Sequence, residues 1–415
     1  MPKVLKLAAR NLARYWRRTL LTSGLIILGI VAVLLFVSVS GSFKSLIVGQ
    51  ITDSMLGHLQ VHRRGYVASI DNLPLNLNMS PAQVDKIDET LRGMKDVVAS
   101  SPRLKLGAMF SNFTETTSIR LNGIMPEREA ATVPLLPGRL VQGSAANGLI
   151  ERGKILVPEI LAKGMKLKVG DTIVLVATNL DGSVNGKTFV IRAALESATG
   201  PGGRDGYIHI EDARELLRMS QPEVSEIAMR LKDPAQVDRV SANLEAALSD
   251  MKNKEGRSAV ELHSWERLSP FANIARMIDV LTLAIKIMLV SIVLVSVMNV
   301  MVMAVYERIR EIGAIAAIGT PPRRILALFL SEGLMLGIVG TVVGVVLSLG
   351  IIYALNVWKI TFSFGQQQGL LLAPSITLQD VITTAIMVVA VAILASLQPA
   401  WKASRMDPIA ALRHV

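Results

Sequence analysis

A short charged segment, residues 306–325, lies between two long runs that contain no charged residue, 287–306 and 333–358. A helix that mixes glutamate and arginine is costly inside a bilayer, so a segment held between two such runs must lie at a membrane surface. Further apolar runs occur towards both ends of the chain. The sequence therefore predicts an α-helical membrane protein with four transmembrane helices, at residues 19–42, 280–306, 325–357 and 380–401.

The composition is that of a membrane protein that also carries a large soluble domain. The 415 residues are 51% hydrophobic, with a mean hydropathy of +0.45, and the hydrophobicity is unevenly spread. The net charge of +11 could indicate nucleic-acid binding, but the basic residues flank the apolar runs and indicate membrane orientation instead, so no nucleic-acid partner is predicted. The chain has no cysteine, which excludes a disulfide framework and a thiolate metal site.

Basic residues predict which parts of the chain face the cytoplasm. Lysine and arginine concentrate before the first span, at 306–324 and at 402–413, whereas residues 358–379 include a single basic residue. Cytoplasmic loops are rich in lysine and arginine, so both termini and the segment between the second and third spans are expected inside. The loop 358–379 and the long insertion 43–275 are then expected outside.

The two ends of the chain fit this orientation. Residues 1–18 contain six basic residues and no acidic residue, with apolar side chains at roughly helical spacing. This pattern predicts a cytoplasmic amphipathic helix that contacts membrane lipid. Residues 402–415 are expected to form a cytoplasmic tail.

The insertion 43–275 contains an internal repeat. The sequence SPAQVDKI at 80–87 matches DPAQVDRV at 233–240, and both begin like a helix with an N-cap residue, Pro at N1 and Gln at N3. Strand-like segments flank both copies, which predicts a large α+β domain.

The predicted domain has three parts. The repeat indicates a duplicated βαβ lobe made of residues 50–114 and 211–264. A separate β-rich subdomain, 115–210, is inserted between the two halves, and a helical stalk, 265–279, leads into the second span.

Motifs for chemistry are weak in this insertion. The sequence DGSVNGKT at 181–188 imitates a phosphate loop, but its first glycine is one position late and it precedes a strand. The pair Asn185–Gly186 is better explained as a hairpin turn. His58 and His62 share one strand face and provide little basis for a metal site. We therefore predict no catalytic, cofactor-binding or metal residue, and no enzyme activity in this chain.

The third span contains two G-x-x-x-G steps, formed by Gly333, Gly337, Gly340 and Gly344. Small residues let helices approach closely in lipid, so these glycines predict either packing within one chain or a dimer interface. Glu332 lies inside the same span, where an acid is costly unless it is paired or near the interface. It is expected to contact the basic 306–324 segment or a partner, with a proton relay as a further alternative.

The charged segment and the C-terminus together resemble a known family. Residues 307–319 read E-R-x-R-E-I-G-x-x-x-A-I-G and are followed by S-E-G at 331–333 and the glycine-rich span. This order resembles the permeases of the MacB/LolC/FtsX group of ABC transporters, the type VII or mechanotransmission family. The sequence QPAWKASRMDPIAALR at 398–413 is similar to the tail of that group, and residues 155–171 resemble its external domain.

The resemblance implies a division of labour between subunits. It implies a bacterial inner-membrane permease that pairs with a second copy or a paralogue, and a separate cytoplasmic dimer of ABC ATPases. ATP and Mg²⁺ would be bound by that partner, so this chain is expected to hold no cofactor. Residues 307–324 would be the cytoplasmic coupling helix, and 1–18 a second ATPase contact. The residues carried over to ATPase coupling are Glu307, Arg308, Arg310, Glu311, Ile312, Gly313, Ile318 and Gly319.

The resemblance leaves the cargo open. The absence of a fused ATPase suggests the LolC arrangement, and hence release of lipoprotein or lipid-linked cargo towards the outer membrane, with a periplasmic carrier or adaptor as a further partner. The alternative is MacB-like tripartite efflux of drugs, peptides or toxins through an adaptor and an outer-membrane channel. A membrane-anchored sensor or scaffold is the alternative of another class, and the segment 307–319 would then be a short solvated connector.

Overall fold

The computed structural model describes residues 10, 14, 16–143, 148–196, 205–364 and 367–413. Its contacts divide the chain into two units. We call Met1–Leu46 together with Ala275–Val415 the membrane unit, and Ile47–Ile274 the α/β domain. The predicted amphipathic helix 1–18 lies almost entirely outside the described residues.

The helices are, in chain order, α1 (Trp16–Ile51), α2 (Pro81–Arg92), α3 (Pro126–Thr132), α4 (Glu159–Gly164), α5 (Ile210–Leu216), α6 (Val237–Ala247), α7 (Trp265–Leu268), α8 (Ala272–Glu307), α9 (Ile309–Ala317), α10 (Pro322–Trp358), α11 (Leu378–Ser404) and α12 (Pro408–Arg413).

The strands are, in chain order, β1 (Leu59–Arg63), β2 (Val97–Ser111), β3 (Thr116–Ile124), β4 (Leu140–Gln142), β5 (Lys154–Pro158), β6 (Thr172–Thr178), β7 (Val184–Leu195), β8 (Asp205–His209), β9 (Glu226–Leu231), β10 (Val260–Ser264), β11 (Thr361–Phe364) and β12 (Gln367–Leu371).

Helices α1, α8, α10 and α11 are the four within the described part of the chain that are long and apolar enough to cross a membrane, which confirms the predicted number of spans. Each helix extends beyond its apolar run, and α1 continues to Ile51 although its uncharged run ends at residue 43. The apolar side chains decide which part lies in lipid, whereas the backbone hydrogen bonds can continue into the polar flanks. The predicted loop 358–379 includes the antiparallel hairpin β11–β12.

The predicted stalk 265–279 is helical at both ends but interrupted. The short helix α7 ends at Leu268, and α8 begins at Ala272 and continues through the second span without a break. Between them, the backbone N–H of Phe271 donates to Oγ of Ser269 at 3.3 Å. The stalk is therefore continuous with the second span only from Ala272.

The repeat folds as two interleaved βαβ units. One unit is β1-α2-β2 and the other is β9-α6-β10, and the sheet order β10-β1-β9-β2 places one strand of each unit between the two strands of the other. All neighbouring pairs in this part are antiparallel. The two predicted halves therefore form one lobe of the split βαβ type.

The two helices of the repeat begin with different hydrogen bonds. The backbone N–H of Ser80 donates to Oε1 of Gln83 at 3.0 Å, as a capping box requires. In the second copy, Asp233 caps the N–H of Ala235 at 3.0 Å, and the side chain of Gln236 donates to Asp233 at 2.9 Å. The predicted Gln contact to the N-cap backbone is therefore formed in the first copy, and the second copy uses Gln236 differently.

The β-rich segment 115–210 does not form a separate sheet. Strands β3, β8, β5, β7 and β4 extend the same sheet beyond β2, and β6 pairs with β2 and β7. The fifteen-residue strand β2 joins the two parts, because it pairs with β9 over its first half and with β3 and β6 towards its end. The predicted β-rich insertion therefore shares one sheet with the lobe, which the sequence could not show because strand pairing between distant segments leaves no local mark on it.

The hairpin turn predicted at Asn185–Gly186 was also wrong. Both residues lie in β7, where Gly186 pairs with Val176. The turn lies earlier, at Gly182, which has a φ of +80°. The side chain of Asn185 donates instead to the carbonyl of Leu216 at 3.0 Å, at the end of α5, and this contact holds Asn185 in the strand.

Candidate functional site

The charged segment between the second and third spans forms the short helix α9. It is separated from α8 by the single residue Arg308, whose φ of −113° and ψ of 18° leave the helical region. At its other end, the N–H of Gly319 bonds to the carbonyl of Ala316 and that of Thr320 to Ile315, which is a Schellman ending. Gly319 has a φ of +92°, a backbone conformation that favours glycine.

Arg308 and Glu332 form a buried ion pair. Nη1 of Arg308 lies 3.0 Å from Oε1 of Glu332 in α10, and the two side chains are 5% and 1% exposed. The expectation that Glu332 contacts the basic segment is therefore confirmed. Because an unpaired charge is costly at such a depth, this pair holds the start of α9 against α10.

The inner face of α9 packs against the C-terminal helix α12. A side chain at Gly313 would place its Cβ only 2.7 Å from Cβ of Ala411, so the close approach depends on this glycine. Asp407 begins α12 by accepting the N–H of Ile409 at 2.9 Å. The two motifs that suggested the family, at 307–319 and 398–413, thus meet in space.

The predicted coupling residues divide between two faces of this segment. Arg308, Ile312 and Gly313 are buried, and they pack against the rest of the membrane unit. The exposed members are Glu307, Arg310, Glu311, Ile318 and Gly319. Ile318 is 87% exposed, and Tyr306 and Ile315 are also exposed. An exposed, mixed charged and apolar helix face of this kind is suited to docking another protein.

The glycines of the third span pack within the chain. A Cβ at Gly333 would collide with Ser396 of α11, and one at Gly337 would lie 2.9 Å from Cβ of Ala392. A Cβ at Gly340 would lie 2.6 Å from Cγ2 of Ile26, and Gly344 faces Ile30 in the same way, so these two contact α1. The first G-x-x-x-G step therefore lets α11 pack closely against α10, and the second lets α1 pack closely against α10.

A buried charge network in the α/β domain was not foreseen from the sequence. Arg103 in β2 lies 2.7 Å from Glu129 in α3 and 3.0 Å from Glu226 in β9. Lys105 lies 2.8 Å from the other oxygen of Glu226, and Nε2 of His62 lies 3.4 Å from it. The network joins β1, β2, β9 and α3. In the sequence, the only available signal for it was the alternation of polar and apolar residues along these strands.

The network shifts the pKa values of its members. Burial by itself would raise the pKa of Glu226, but the Lys105 ammonium, the His62 hydrogen bond and the Arg103 guanidinium hold that pKa well below its usual range. Burial raises the pKa of Asp205 to about 6, although Lys105 and Arg120 favour its charged form. Glu226 therefore stays charged at neutral pH, whereas the pKa of Asp205 lies about one unit below neutral pH.

The other predicted positions in the α/β domain have structural roles. Nδ1 of His58 accepts the backbone N–H of Leu231 at 3.0 Å, and the ring of His62 stacks on Tyr66 at 5.4 Å. Among the described residues, no group of three or more His, Cys, Asp or Glu side chains could hold a metal ion. An open cavity of about 590 Å³ lies on the sheet beside Leu73, Met109 and Arg120.

Comparison with known proteins finds matches to two family models and to related proteins. The model of the MacB-like periplasmic core domain matches residues 19–247, and that of the FtsX-like permease C-terminal domain matches residues 283–408. The lipoprotein-releasing system transmembrane protein LolC of Neisseria meningitidis is 23% identical over 409 residues, covering 94% of this chain and 92% of its own length.

A second relative and a solved structure match parts of the chain. The macrolide export ATP-binding/permease protein MacB of Syntrophobacter fumaroxidans is 37% identical over 150 residues, which is 36% of this chain and 19% of its own length. The crystal structure of the periplasmic region of MacB from Actinobacillus actinomycetemcomitans is 11% identical, covers 51% of this chain and 89% of its own, and has a TM-score of 0.36.

Proposed function

Because the chain belongs to the family of the MacB-like periplasmic core domain, which it joins to an FtsX-like permease C-terminal domain, we propose that it passes the motion of a separate ATPase to its α/β domain. The chain is an ABC transporter permease of the LolC/MacB type. It spans the bacterial inner membrane with α9 and both termini in the cytoplasm and the α/β domain in the periplasm. ATP and Mg²⁺ are bound by the cytoplasmic ATPase dimer.

The two faces of α9 are the observation on which this proposal rests. One face is fastened to the membrane unit through Arg308, Ile312 and Gly313, whereas the other presents Glu307, Arg310, Glu311 and Ile318. A helix that served only as a solvated connector would not need a buried ion pair at its start and a glycine contact in its middle. A helix that receives a push needs both an outer docking face and an inner anchor.

The anchors of α9 indicate how a push would spread. The Arg308–Glu332 pair passes displacement of α9 to α10. The contact of Gly313 with Ala411 passes it to α12, which follows α11 directly in the chain. Movement of one short helix is therefore shared between the third and fourth spans.

The cargo that the relatives favour is lipoprotein or a lipid-linked molecule. The supporting observation is the match to the Neisseria LolC protein over 94% of this chain. A periplasmic carrier or adaptor would then receive the cargo. The second candidate is MacB-like export, which the higher identity of 37% over 150 residues to a macrolide export protein supports.

A permease of this kind is expected to act with a second copy or a paralogue. Gly333, Gly337, Gly340 and Gly344 are buried against helices of the same chain. A dimer would therefore use other helix surfaces, and α8 is the candidate because it is the least buried of the four spans, at 17%.

The experiment that tests this proposal is co-purification of an ATPase with the full chain from its own membranes. We expect Ile318→Glu to abolish the association, because it puts a charge on the most exposed apolar residue of the docking face. Leu180→Glu is the matched control, since Leu180 is also an exposed apolar residue, at 57%, but lies in the α/β domain.

Two outcomes would contradict the proposal. If no ATPase accompanied the wild-type chain, the sensor or scaffold alternative would be favoured. If Ile318→Glu and Leu180→Glu both left the association and ATP turnover unchanged, α9 would not be the docking helix. The cargo is then decided in reconstituted vesicles. Release of a lipidated protein to a soluble acceptor is compared there with export of a macrolide.

A further inference from the structure

The outer end of α1 has three polar residues at alternate positions, Ser40, Ser42 and Lys44. We call these three residues the polar hub. They lie within the membrane unit at the end of α1 that meets the start of α8 and the connection between α10 and α11. Each of the three side chains contacts a different neighbour.

Two hub residues fasten α1 to α8. Oγ of Ser40 lies 2.6 Å from Oγ1 of Thr282, and Nζ of Lys44 lies 2.6 and 2.8 Å from the two carboxylate oxygens of Asp279. The Lys44–Asp279 pair is partly exposed, at 36% and 55%, so it contributes less than the hydroxyl pair. The spacing of three residues between Asp279 and Thr282 puts both contacts on one face of α8.

The third hub residue fastens α1 to the segment that begins α11. Oγ of Ser42 lies 2.8 Å from the carbonyl of Ala373 and accepts the backbone N–H of Ser375 at 3.1 Å. Asn356, in the last turn of α10, donates to the carbonyl of Pro374 at 2.8 Å. The capping residue of α11, Thr377, follows directly.

The contacts below the hub are of another kind. Along the middle of the bundle, α1 meets α10 through Ile26 and Ile30 against glycines, and Gly29 meets Val293 of α8. Apolar contacts in lipid are not directional, so one helix can slide on another without losing a specific bond. A hydrogen bond near the bilayer core is lost when a helix slides, and the displaced polar group finds little water to replace its partner.

From these contacts we infer that the polar hub fastens the outer ends of α1, α8, α10 and α11 into one body. This inference rests on the proposed function. It means that a push on α9 reaches the α/β domain as a joint movement of all four outer ends. Sliding of a single helix past the others at this level would break the hydroxyl pair and the two bonds of Ser42 outside α1, leaving only its bond to the carbonyl of Ser38 within the helix.

Disulfide crosslinking tests this inference, because the natural chain contains no cysteine and introduced thiols have no competitors. The two variants are Ser40→Cys with Thr282→Cys, and Ser42→Cys with Ser375→Cys. The control pairs Ser40→Cys with Ser291→Cys, which lies nine positions further along α8 and about 14 Å away along the helix. Crosslinks are formed with an oxidant in membranes, and ATP turnover of the assembled transporter is measured before and after reduction.

We expect both hub variants to crosslink, the control not to, and the crosslinked transporter to lose no ATP turnover. Failure of the hub pairs to crosslink would overturn the inference, as would loss of turnover on oxidation that reduction restores. If no ATPase assembled with the cysteine-free parent, the proposed function would fail instead, and the yields of the two hub crosslinks would still decide whether the outer ends are joined.

Discussion

Both units of the molecule bury an arginine against glutamate, but they surround it differently. In the membrane unit, Arg308 meets Glu332 at 3.0 Å, and this pair connects α9 to α10. In the α/β domain, Arg103 bridges Glu129 and Glu226 across three elements, and Glu226 is held further by Lys105. The pair in the membrane unit therefore connects two helices, whereas the network in the α/β domain connects three strands and a helix.

The difference indicates where the molecule can move. The Arg308–Glu332 pair connects one short helix to one span, so displacement of α9 can pass to α10. The network in the α/β domain resists displacement, because Arg103 and Glu226 each have more than one charged neighbour. We expect the α/β domain to move as a stiff body and the Arg308–Glu332 pair to carry movement of α9 into α10.

The largest effect is expected where the network loses its central acid. Glu226→Ala leaves Arg103 and Lys105 buried without that partner, and should lower the free energy of unfolding of the α/β domain by about 4 kcal/mol. Trp265 is the single tryptophan of this domain, so its fluorescence reports unfolding in the full chain once the other tryptophans are replaced by phenylalanine. Glu255→Ala, at a side chain that is 67% exposed, is the control and should have almost no effect.

A smaller effect is expected at the Arg308–Glu332 pair. Arg308→Leu removes the guanidinium that lies 3.0 Å from Glu332, and the free energy of unfolding should fall by about 3 kcal/mol. The double variant Arg308→Leu with Glu332→Leu should recover most of this loss, because no buried charge is left alone. Thermal denaturation in detergent measures both, and a double variant no more stable than the single one would show that the pair does more than balance charge.

A still smaller loss of stability is expected from a substitution where two spans pack closely. Gly337→Ala adds a methyl group 2.9 Å from Cβ of Ala392, and the resulting strain should cost about 2 kcal/mol. Gly350→Ala is the matched control in the same helix, since nothing lies within 4 Å of its added Cβ. The control is expected to be neutral or slightly stabilising, and equal effects at both positions would mean that α10 and α11 pack less closely than they do here.

The smallest effect concerns the pH dependence of the α/β domain. The pKa of Asp205 is raised to about 6, above its unfolded value, so the folded domain binds the proton more tightly and gains stability as the pH falls through 6. The contribution of Asp205 to this gain between about pH 7 and pH 5 should be about 1 kcal/mol. His58 and His263 contribute in the opposite direction, because burial lowers their pKa values. Asp205→Asn should therefore make the domain relatively less stable at pH 5 than at pH 7 by about this amount, measured by Trp265 fluorescence in denaturant. Glu226 does not contribute in this range, because its pKa is lowered and its stabilisation is lost only in stronger acid.

Local patterns in the sequence were sufficient for several features. The four spans follow from uncharged runs, and the helix starts at residues 80 and 233 follow from capping residues. Each of these depends on residues within about one helical turn or on the length of one run, and such information is present in a single stretch of chain.

Features that join distant segments were missed or left open. The sequence could not show that β9 inserts between β1 and β2, because pairing of strands far apart in the chain depends on the whole sheet. It also could not decide whether Gly333 and Gly340 pack within the chain or between chains. The structure decided this, because α11 and α1 occupy the space beside these glycines.

The sequence by itself determined the number of spans, the position of the charged helix and the cost of an unpaired acid at Glu332. Only the tertiary structure decided which residue relieves that cost, and that Arg103, Glu129 and Glu226 share one network. The physical reason is range: hydropathy and capping act along neighbouring residues, whereas the pairing of buried charges depends on which helices and strands the fold brings together.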